Sequence, residues 1–290
     1  MVVGIRKARS RSNWRWKALA AAVLAVSAQT THAAQASDLA SVKARGKLVV
    51  GVFATQDDLA VSANLTRMRE RGLKLAELRH PDEFTGFDID LLKGFAESLG
   101  VELEFHAATT ELKDLFSTLT GGACDLLAGG LGITAKRREA MDFSRPYFTI
   151  WLAVITRRDS PISSVSDLAG KTAVEIAGSS AIETLRALAP RAKIELAPFS
   201  YEVFDLVAEG KADFTTQPNE LAPGEPVGGA APNLKVAFRL QEIPVGFAAR
   251  KGSDLLAPLD AYLDRIRRSG ELARILGRHG APVAKASTPP

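Results

Sequence analysis

The chain alternates short apolar runs with amphipathic segments, and this pattern is what most constrains its fold. Residues 47–53 (KLVVGVF) are typical of a strand, and residues 87–100 place apolar side chains at helical spacing before a terminating Gly100. Residues 101–107 alternate apolar and polar side chains, as a half-buried strand does. Strands that alternate with helices in this way predict an α/β fold.

A long β-rich run at residues 147–158 divides the pattern into two sets. Before it we predict a helix at 64–78 interrupted by Gly72, a helix at 111–122 and a buried strand at 124–133. After it we predict helices within 164–170, 179–189, 201–210 and 254–280, and strands at 171–176, 192–197, 211–216, 233–238 and 243–252.

The pattern of strands and helices begins again after this run, and this predicts a second lobe inserted into the first. We assign residues 37–149 and 244–280 to lobe 1, residues 150–243 to lobe 2, and residues 281–290 to a disordered tail. Two α/β lobes joined by two hinge strands form a clamshell, and the cleft between them is where a small ligand binds.

The N-terminus has the pattern of a secretory signal peptide. Residues 1–17 hold six Lys or Arg and no acidic side chain, residues 18–28 are apolar, and residues 34–36 read Ala-Gln-Ala. The alternative is an uncleaved anchor, but the apolar run is about half of the ~20 residues that a span needs. We therefore predict cleavage after residue 36 and a periplasmic protein.

Charge and cysteine content exclude several classes of protein. Residues 1–36 hold six of the 37 Lys and Arg, so the remainder carries 31 against 33 acidic side chains, a net of −2. This balance gives no electrostatic reason to expect binding to nucleic acid or to a membrane surface. The single cysteine, Cys124, is expected to be a small buried side chain.

We expect neither a metal nor a cofactor. His80, His106 and His279 have no metal-binding spacing, and no nucleotide-binding or nucleophile-elbow motif is present.

Four segments resemble the extracellular solute-binding proteins of family 3, the polar amino-acid type. They are RGKLVVGV, GFDIDLLKGFAESLGVELEF, LFSTLTGGACDLLAGGLGITAKRREAMDFSRPYF and LDAYLDRIRRSGELARILGRHG, in this order between Val42 and Gly280. The resemblance implies a periplasmic-binding-protein clamshell that captures a carboxylate-bearing ligand. It further implies delivery of the ligand to a membrane ABC permease. We expect a monomer with no catalytic activity.

In this family the arginine of an I-T-x-x-R motif binds the ligand carboxylate, and Arg137 holds that position. A guanidinium matches a carboxylate bidentately and stays charged when desolvated. Gly130 and Gly132 would allow close backbone approach, with free N–H groups completing the anion site, and Thr134 would cap the helix that carries Arg137. The alternative is that Arg137 belongs to a solvated helix start.

The family also uses a Gly-Ser/Thr-Ser/Thr turn in lobe 2 to contact the carboxylate. Gly178, Ser179 and Ser180 match this turn, and an ordinary helix cap by the two hydroxyls is the alternative.

Two departures from the family leave the ligand open. The acid that holds the ligand ammonium falls at Pro218, flanked by Gln217 and Asn219, whereas Asp213 matches the structural acid of the same motif. Glycines at 129, 130 and 132 also replace hydroxyl side chains. Phe53 is a candidate aromatic wall of the pocket, with plain core packing as the alternative, and the segment 54–85 is longer than usual.

Two other functions remain open. A cyclohexadienyl-dehydratase-like enzyme would need a general acid in the cleft, for which Glu175 and Glu220 are candidates. The chain also resembles the binding-protein-like region of membrane-bound lytic transglycosylases. Their activity needs a further lysozyme-like domain and is expected to be absent here, although peptidoglycan fragments stay possible ligands. A sensing or partner module without transport is the third possibility.

Overall fold

The computed structural model describes residues 38–53, 60–108, 112–197, 202–218, 224 and 233–281. The predicted signal peptide and positions 282–290 of the predicted tail lie outside the described residues. Ala281, which we assigned to that tail, is buried in the core of lobe 1. At this one position the prediction of a disordered tail is wrong, because the Ala281 N–H donates to the Leu276 carbonyl and its side chain packs in the core.

The strands are β1 (Lys47–Phe53), β2 (Ser62–Ala63), β3 (Phe84–Thr85), β4 (Glu102–Ala108), β5 (Leu126–Ala128), β6 (Met141–Phe143), β7 (Phe148–Arg157), β8 (Thr172–Glu175), β9 (Lys193–Leu196), β10 (Phe214–Pro218), β11 (Leu234–Val245) and β12 (Ala248–Arg250). The α-helices are α1 (Asp38–Arg45), α2 (Leu65–Arg71), α3 (Phe87–Leu99), α4 (Leu112–Thr120), α5 (Ala135–Ala140), α6 (Ser180–Leu188), α7 (Val203–Ala208), α8 (Leu256–Arg268) and α9 (Glu271–Arg278). Short 3-10 turns lie at Leu75–Glu77, Pro81–Glu83 and Val165–Leu168.

Each lobe is built on one five-stranded sheet. The sheet of lobe 1 has the order β4-β1-β5-β12-β6, with β1 parallel to β4 and β5. The sheet of lobe 2 has the order β11-β7-β10-β8-β9, with β8 parallel to β9 and β10. The predicted two-lobed α/β clamshell is therefore the observed fold.

The chain enters and leaves lobe 2 along two paired strands. The first residue of β7, Phe148, pairs with the last residue of β11, Val245, and the two strands stay antiparallel along their length. Val245 also forms a bridge with Gly132 of lobe 1. The carboxyl ends of β5 and β8 lead into the described segments that carry Gly130, Gly132 and Gly178, and ligands of α/β proteins bind at the carboxyl ends of strands.

Apolar helix faces hold lobe 1 together. Helix α3 buries one face against the sheet, and Phe95 packs on Tyr262 of α8 with ring centroids 5.8 Å apart. Tyr147 stacks on Phe247 at 4.5 Å. Each such fully buried large side chain contributes roughly 1.5–3 kcal/mol. Gly100 ends α3 with φ 70°, and its N–H donates to the carbonyls of Ala96 and Glu97, so the predicted stop is confirmed.

Several predicted elements are shorter or merged. The helix predicted at 64–78 ends at Arg71, because Gly72 takes a positive φ of 64°. The strand predicted at 124–133 covers only Leu126–Ala128. The separate strands predicted at 233–238 and 243–252 are instead the long β11 and the short β12. β11 continues because β7 supplies a partner along its whole length, and no local pattern encodes that pairing.

Candidate ligand-binding site

Arg137 bridges the two lobes. It lies on α5, whose N-cap Thr134 accepts a hydrogen bond from the Arg137 amide through Oγ1 at 3.2 Å, which confirms the predicted cap. The guanidinium donates from Nη1 to the Gly132 carbonyl at 2.8 Å in lobe 1. It donates from Nη2 to the Gly178 carbonyl at 3.0 Å in lobe 2.

Arg137 is largely buried beside an aromatic ring and keeps its charge. Its guanidinium carbon lies 5.2 Å from the ring centroid of Phe116 on α4. Burial lowers the pKa of Arg137 to about 10, with Glu183 on α6 opposing the shift, so the side chain remains cationic at neutral pH. Both carbonyls that accept from its guanidinium are neutral, and an ionised acceptor makes a hydrogen bond roughly twice as strong.

The glycine loop after β5 is held by a buried acid. Asp88 at the start of α3 accepts the N–H groups of Gly129 at 2.8 Å and Gly130 at 3.1 Å through Oδ2. It also accepts from the Tyr147 hydroxyl through Oδ1. The Gly130 amide is therefore used inside lobe 1 and is not the free donor that we expected. Gly130 takes φ 63°, a conformation that favours glycine.

Gly132 lies at a close contact between the lobes. A Cβ atom placed there would lie 2.7 Å from Ile243 Cγ2 and 3.4 Å from Ser180 Oγ. A Cβ on Gly178 would in turn lie 3.7 Å from the Phe116 ring of lobe 1. A side chain at Gly132 would therefore collide with Ile243, whereas at Gly178 there is space for a Cβ and the positive φ of 80° is what favours glycine.

The start of α6 has no capping hydrogen bond from its N-cap side chain. Ser179 is the N-cap residue, but its hydroxyl makes no capping hydrogen bond. That hydroxyl is buried and has no hydrogen-bond partner among the described residues. Ser179 therefore occupies the predicted N-cap position but does not form the capping hydrogen bond that was the alternative role for its hydroxyl. Ser180 is the first residue of α6 and contacts the Gly132 backbone region.

The other predicted site residues are described mainly by their strand pairing and local hydrogen bonds. Gln217 lies in β10 opposite Ala153, and its Nε2 donates to Thr215 Oγ1 at 2.9 Å. Phe53 ends β1 and pairs with Ala108 through the backbone. Asn219 lies outside the described residues. Asp213 accepts the Thr172 amide at 2.8 Å, which is a structural role.

Four residues of the site escaped the sequence analysis. Asp88 fixes the glycine loop, Phe116 lies beside the guanidinium, Ile243 fills the space next to Gly132, and Glu183 faces Arg137. An acid at an otherwise apolar position was a usable signal for Asp88. The others depend on contacts between lobes, which local patterns do not encode.

Glu175, a candidate general acid, is fully buried at the end of β8. Its Oε1 accepts the Thr216 amide at 2.7 Å. Burial raises its pKa to about 8, partly opposed by hydrogen bonding from Thr216. Glu220, the other candidate, lies outside the described residues.

Other kinds of site find no support in the part of the chain that is described. No group of three or more metal-ligating side chains occurs among these residues. None of their helices combines the length and the apolar character needed to cross a membrane. Cavities of about 620 and 520 Å³ lie at the amino ends of β1 and β4, away from Arg137.

Comparison with known proteins identifies the family. Residues 76–281 match the profile of the bacterial extracellular solute-binding proteins, family 3. This chain belongs to that family. The match spans both lobes and includes Arg137, Gly178 and Ser180.

Two curated relatives of this solute-binding protein differ in kind. Membrane-bound lytic murein transglycosylase F of Ectopseudomonas mendocina is 36% identical over an alignment of 212 residues that covers 67% of this chain and 41% of the relative. The chain thus spans about two fifths of that relative's length. Glutamine-binding protein of Geobacillus stearothermophilus is 30% identical over 71% of this chain and 73% of its own.

A solved structure supports the same fold. The ancestral amino acid-binding protein AncCDT-1, a precursor of cyclohexadienyl dehydratase, is 28% identical with a TM-score of 0.65. The alignment covers 84% of this solute-binding protein and 99% of AncCDT-1.

Proposed function

We propose that this protein is a periplasmic binding protein that captures a small carboxylate-bearing ligand, an amino acid or a relative of one, between its lobes. Arg137 carries the proposal, because its guanidinium lies between the lobes and donates to the Gly178 carbonyl of lobe 2. A ligand carboxylate would replace that neutral acceptor and gain a charge-assisted hydrogen bond. Gly132, Gly178 and Ser180 would line the same site, and Thr134 would hold α5 in place.

The relatives support an amino-acid ligand. One is a glutamine-binding protein that is 30% identical, and another is an ancestral amino acid-binding protein that is 28% identical. We further propose that the ligand-loaded protein acts as a monomer and delivers the ligand to a membrane ABC permease after export through the signal peptide at residues 1–36. No catalytic step is assigned to it.

The test of the binding site is Arg137→Ala, with Arg138→Ala as the matched control. Arg138 is the next residue of α5 and is exposed, so its loss removes a charge without touching the interlobe contact. Ligand binding is screened by thermal shift with amino acids, dicarboxylates and opines. A ligand at about 100 times its Kd raises stability by about 2.7 kcal/mol. Calorimetry then gives the affinity for each compound that binds.

We expect Arg137→Ala to weaken binding at least about 30-fold, since removing one partner of a buried charged pair costs about 2–5 kcal/mol. Arg138→Ala should bind as the wild type does. Circular dichroism and the ligand-free melting temperature establish that both variants are folded. Unchanged affinity in folded Arg137→Ala contradicts the assignment.

A second candidate ligand is a peptidoglycan fragment. It is favoured by the 36% identity to lytic murein transglycosylase F over a region that includes both lobes. In this case the protein would sense the fragment or present it to a partner. Adding muropeptides to the thermal-shift screen decides between the two ligands. A stabilisation by muropeptides alone would favour the sensing role over amino-acid transport.

Transport is tested in cells. Deleting the gene should abolish high-affinity uptake of the identified ligand, and a plasmid copy that encodes Arg137→Ala should not restore it. Normal uptake in the deletion strain would overturn the transport role and leave the binding role intact.

A further inference from the structure

The glycine loop of the candidate site, residues 129–133, is hydrogen-bonded to β11, one of the two hinge strands. The Ile133 N–H donates to the Pro244 carbonyl of β11 at 2.7 Å. The Leu131 carbonyl accepts the N–H of Gly246, which follows the last residue of β11, at 3.1 Å. The loop therefore runs beside the end of β11 and is fixed to it by two backbone hydrogen bonds.

Asp88 links the same loop to the other hinge strand, β7. This side chain is fully buried at the start of α3. Through Oδ2 it accepts the N–H groups of Gly129 and Gly130, and through Oδ1 it accepts a hydrogen bond from the Tyr147 hydroxyl. Tyr147 directly precedes β7. One carboxyl group is thus shared between the loop and the segment that enters lobe 2.

Tyr147 is held in place by both chain segments that cross between the lobes. Its N–H donates to the carbonyl of Val245, the last residue of β11, at 3.1 Å. Its ring stacks on Phe247 with centroids 4.5 Å apart and packs against Phe87 at 6.4 Å. The position of the Tyr147 hydroxyl therefore follows the position of the two hinge strands.

The loop in turn helps to determine where Arg137 lies. The Gly132 carbonyl accepts a hydrogen bond from Nη1 of Arg137 at 2.8 Å. The loop and the end of β11 are in close contact, because a Cβ on Gly246 would lie 2.9 Å from Ile133 Cδ1 and 3.2 Å from the Ser144 hydroxyl oxygen. A displacement of the hinge strands therefore moves the loop, the Gly132 carbonyl and the guanidinium together.

We propose that Asp88 is a positioning residue that couples the glycine loop to the hinge strands, so that closure of the lobes and placement of Arg137 are one movement. This rests on the proposed function and adds a control of the same site. Asp88 does not touch the ligand and acts through the loop amides. A carboxylate suits this role because its two oxygens accept several hydrogen bonds at once, and an ionised acceptor makes each roughly twice as strong.

The test is Tyr147→Phe, with Tyr262→Phe as the matched control. Tyr147→Phe removes the hydroxyl that donates to Asp88 and keeps the ring that stacks on Phe247. Tyr262 is a buried tyrosine of the same lobe whose ring packs on Phe95, so the same change there leaves the Asp88 hydrogen bonds in place. The measurement is amide hydrogen exchange of the exported protein, followed by mass spectrometry, without added ligand.

We expect Tyr147→Phe to speed exchange in residues 129–133 at least about tenfold. The loop loses the anchor of its acceptor, and a lost hydrogen bond to a charged group costs at least the roughly 1.4 kcal/mol that a tenfold change represents. Tyr262→Phe should stay within about twofold in the loop. Exchange in α6 of lobe 2 should be equal in all three proteins, which separates local loosening from a general loss of stability. Unchanged loop exchange in Tyr147→Phe overturns the coupling.

Asp88→Asn is a second variant that removes the charge shared by the loop and Tyr147. It should also speed exchange in the loop. Adding Tyr147→Phe to it should then have less than about a twofold further effect, because two residues that act as a unit are not additive. If Asp88→Asn does not fold, the two tyrosine variants still decide the coupling.

Binding of L-glutamine and L-arginine, measured by calorimetry, tests the positioning role. We expect Tyr147→Phe to weaken binding about fivefold and Tyr262→Phe to leave it unchanged, a difference that a purely structural role of Asp88 would not produce. Faster loop exchange with unchanged affinity overturns the positioning role and leaves the proposed function standing. No binding by these probes or by the wider screen overturns the proposed function and the positioning role together, whereas the exchange result still decides whether Asp88 links the loop to the hinge.

Discussion

Burial disfavours the charged form of both Arg137 and Glu175, but only one of them is neutral at physiological pH. The pKa of Arg137 falls to about 10 and still leaves a cation. The pKa of Glu175 rises to about 8 and leaves a neutral acid. The two buried groups therefore differ in charge at neutral pH, although burial disfavours the charged form of both.

Glu175→Gln should change how stability depends on pH. The folded pKa of about 8 lies above the ordinary glutamate pKa of 4.5. Between these values the folded state holds a proton that the unfolded state has lost. The Glu175 contribution therefore destabilises the fold progressively from pH 4.5 to 8, by about 1.4 kcal/mol per pH unit. It is absent below pH 4.5 and constant above pH 8.

Urea unfolding at pH 5, 6, 7 and 8 measures this effect. The free energy of unfolding of the wild type should fall with pH more steeply than that of Glu175→Gln. Asp213→Asn provides the comparison for loss of an acid in the same sheet. Parallel pH profiles for the wild type and Glu175→Gln would show that the Glu175 carboxyl is ionised in the folded protein.

The sequence predicted the burial of some individual residues and missed that of others. Cys124 was expected to be buried, and it is 1% exposed with a pKa raised mainly by burial, so that prediction is confirmed. The burial of Glu175 was not foreseen. A single acid in a strand pattern usually faces solvent, and only the packing of α6 over β8 and β10 encloses this one.

At the scale of elements, α5 depends on its cap. The helix has six residues, too short to be stable by itself, and Thr134 supplies its side-chain cap. We expect Thr134→Ala to lower the free energy of unfolding by about 1 kcal/mol and to weaken ligand binding severalfold, because α5 positions Arg137. Thr134→Ser keeps the hydroxyl and should retain both properties.

Chemical unfolding and calorimetry of the two Thr134 variants check this expectation. Wild-type stability in Thr134→Ala would mean that packing, and not the cap, defines the start of α5. Loss of stability without loss of affinity would separate the cap from the position of Arg137.

Elements with strong local signals were predicted well. β1 has the predicted bounds, and α3 ends at the predicted glycine. The hairpin of β2 and β3 could not be predicted, because each strand has two residues. The segment that connects the two strands contains α2 and two 3-10 turns. The buried Glu83 carboxylate holds this segment in place, because it accepts hydrogen bonds from the backbone N–H groups of Arg79 and His80 and from the Arg71 side chain.

At the scale of the whole molecule, the lobes are in contact through Arg137, Gly132 and Gly178. Arg137→Ala removes a hydrogen bond to lobe 2 and the interaction with Phe116. We therefore expect the ligand-free variant to be more open than the wild type. Small-angle scattering should give a larger radius of gyration for Arg137→Ala and an unchanged one for Arg138→Ala. Identical scattering of all three proteins would show that the other interlobe contacts suffice to hold the lobes together.

The sequence by itself determined the α/β class, the two-lobed architecture and the family, because periodicity and motif order are local and survive without knowledge of packing. It also indicated Arg137 and its cap. Only the tertiary structure decided that the Gly130 amide is bound by Asp88, that Arg137 reaches lobe 2, and that Glu175 is enclosed beside Thr216. Each of these depends on residues distant in the chain that meet through packing, and neither spacing nor composition records such contacts.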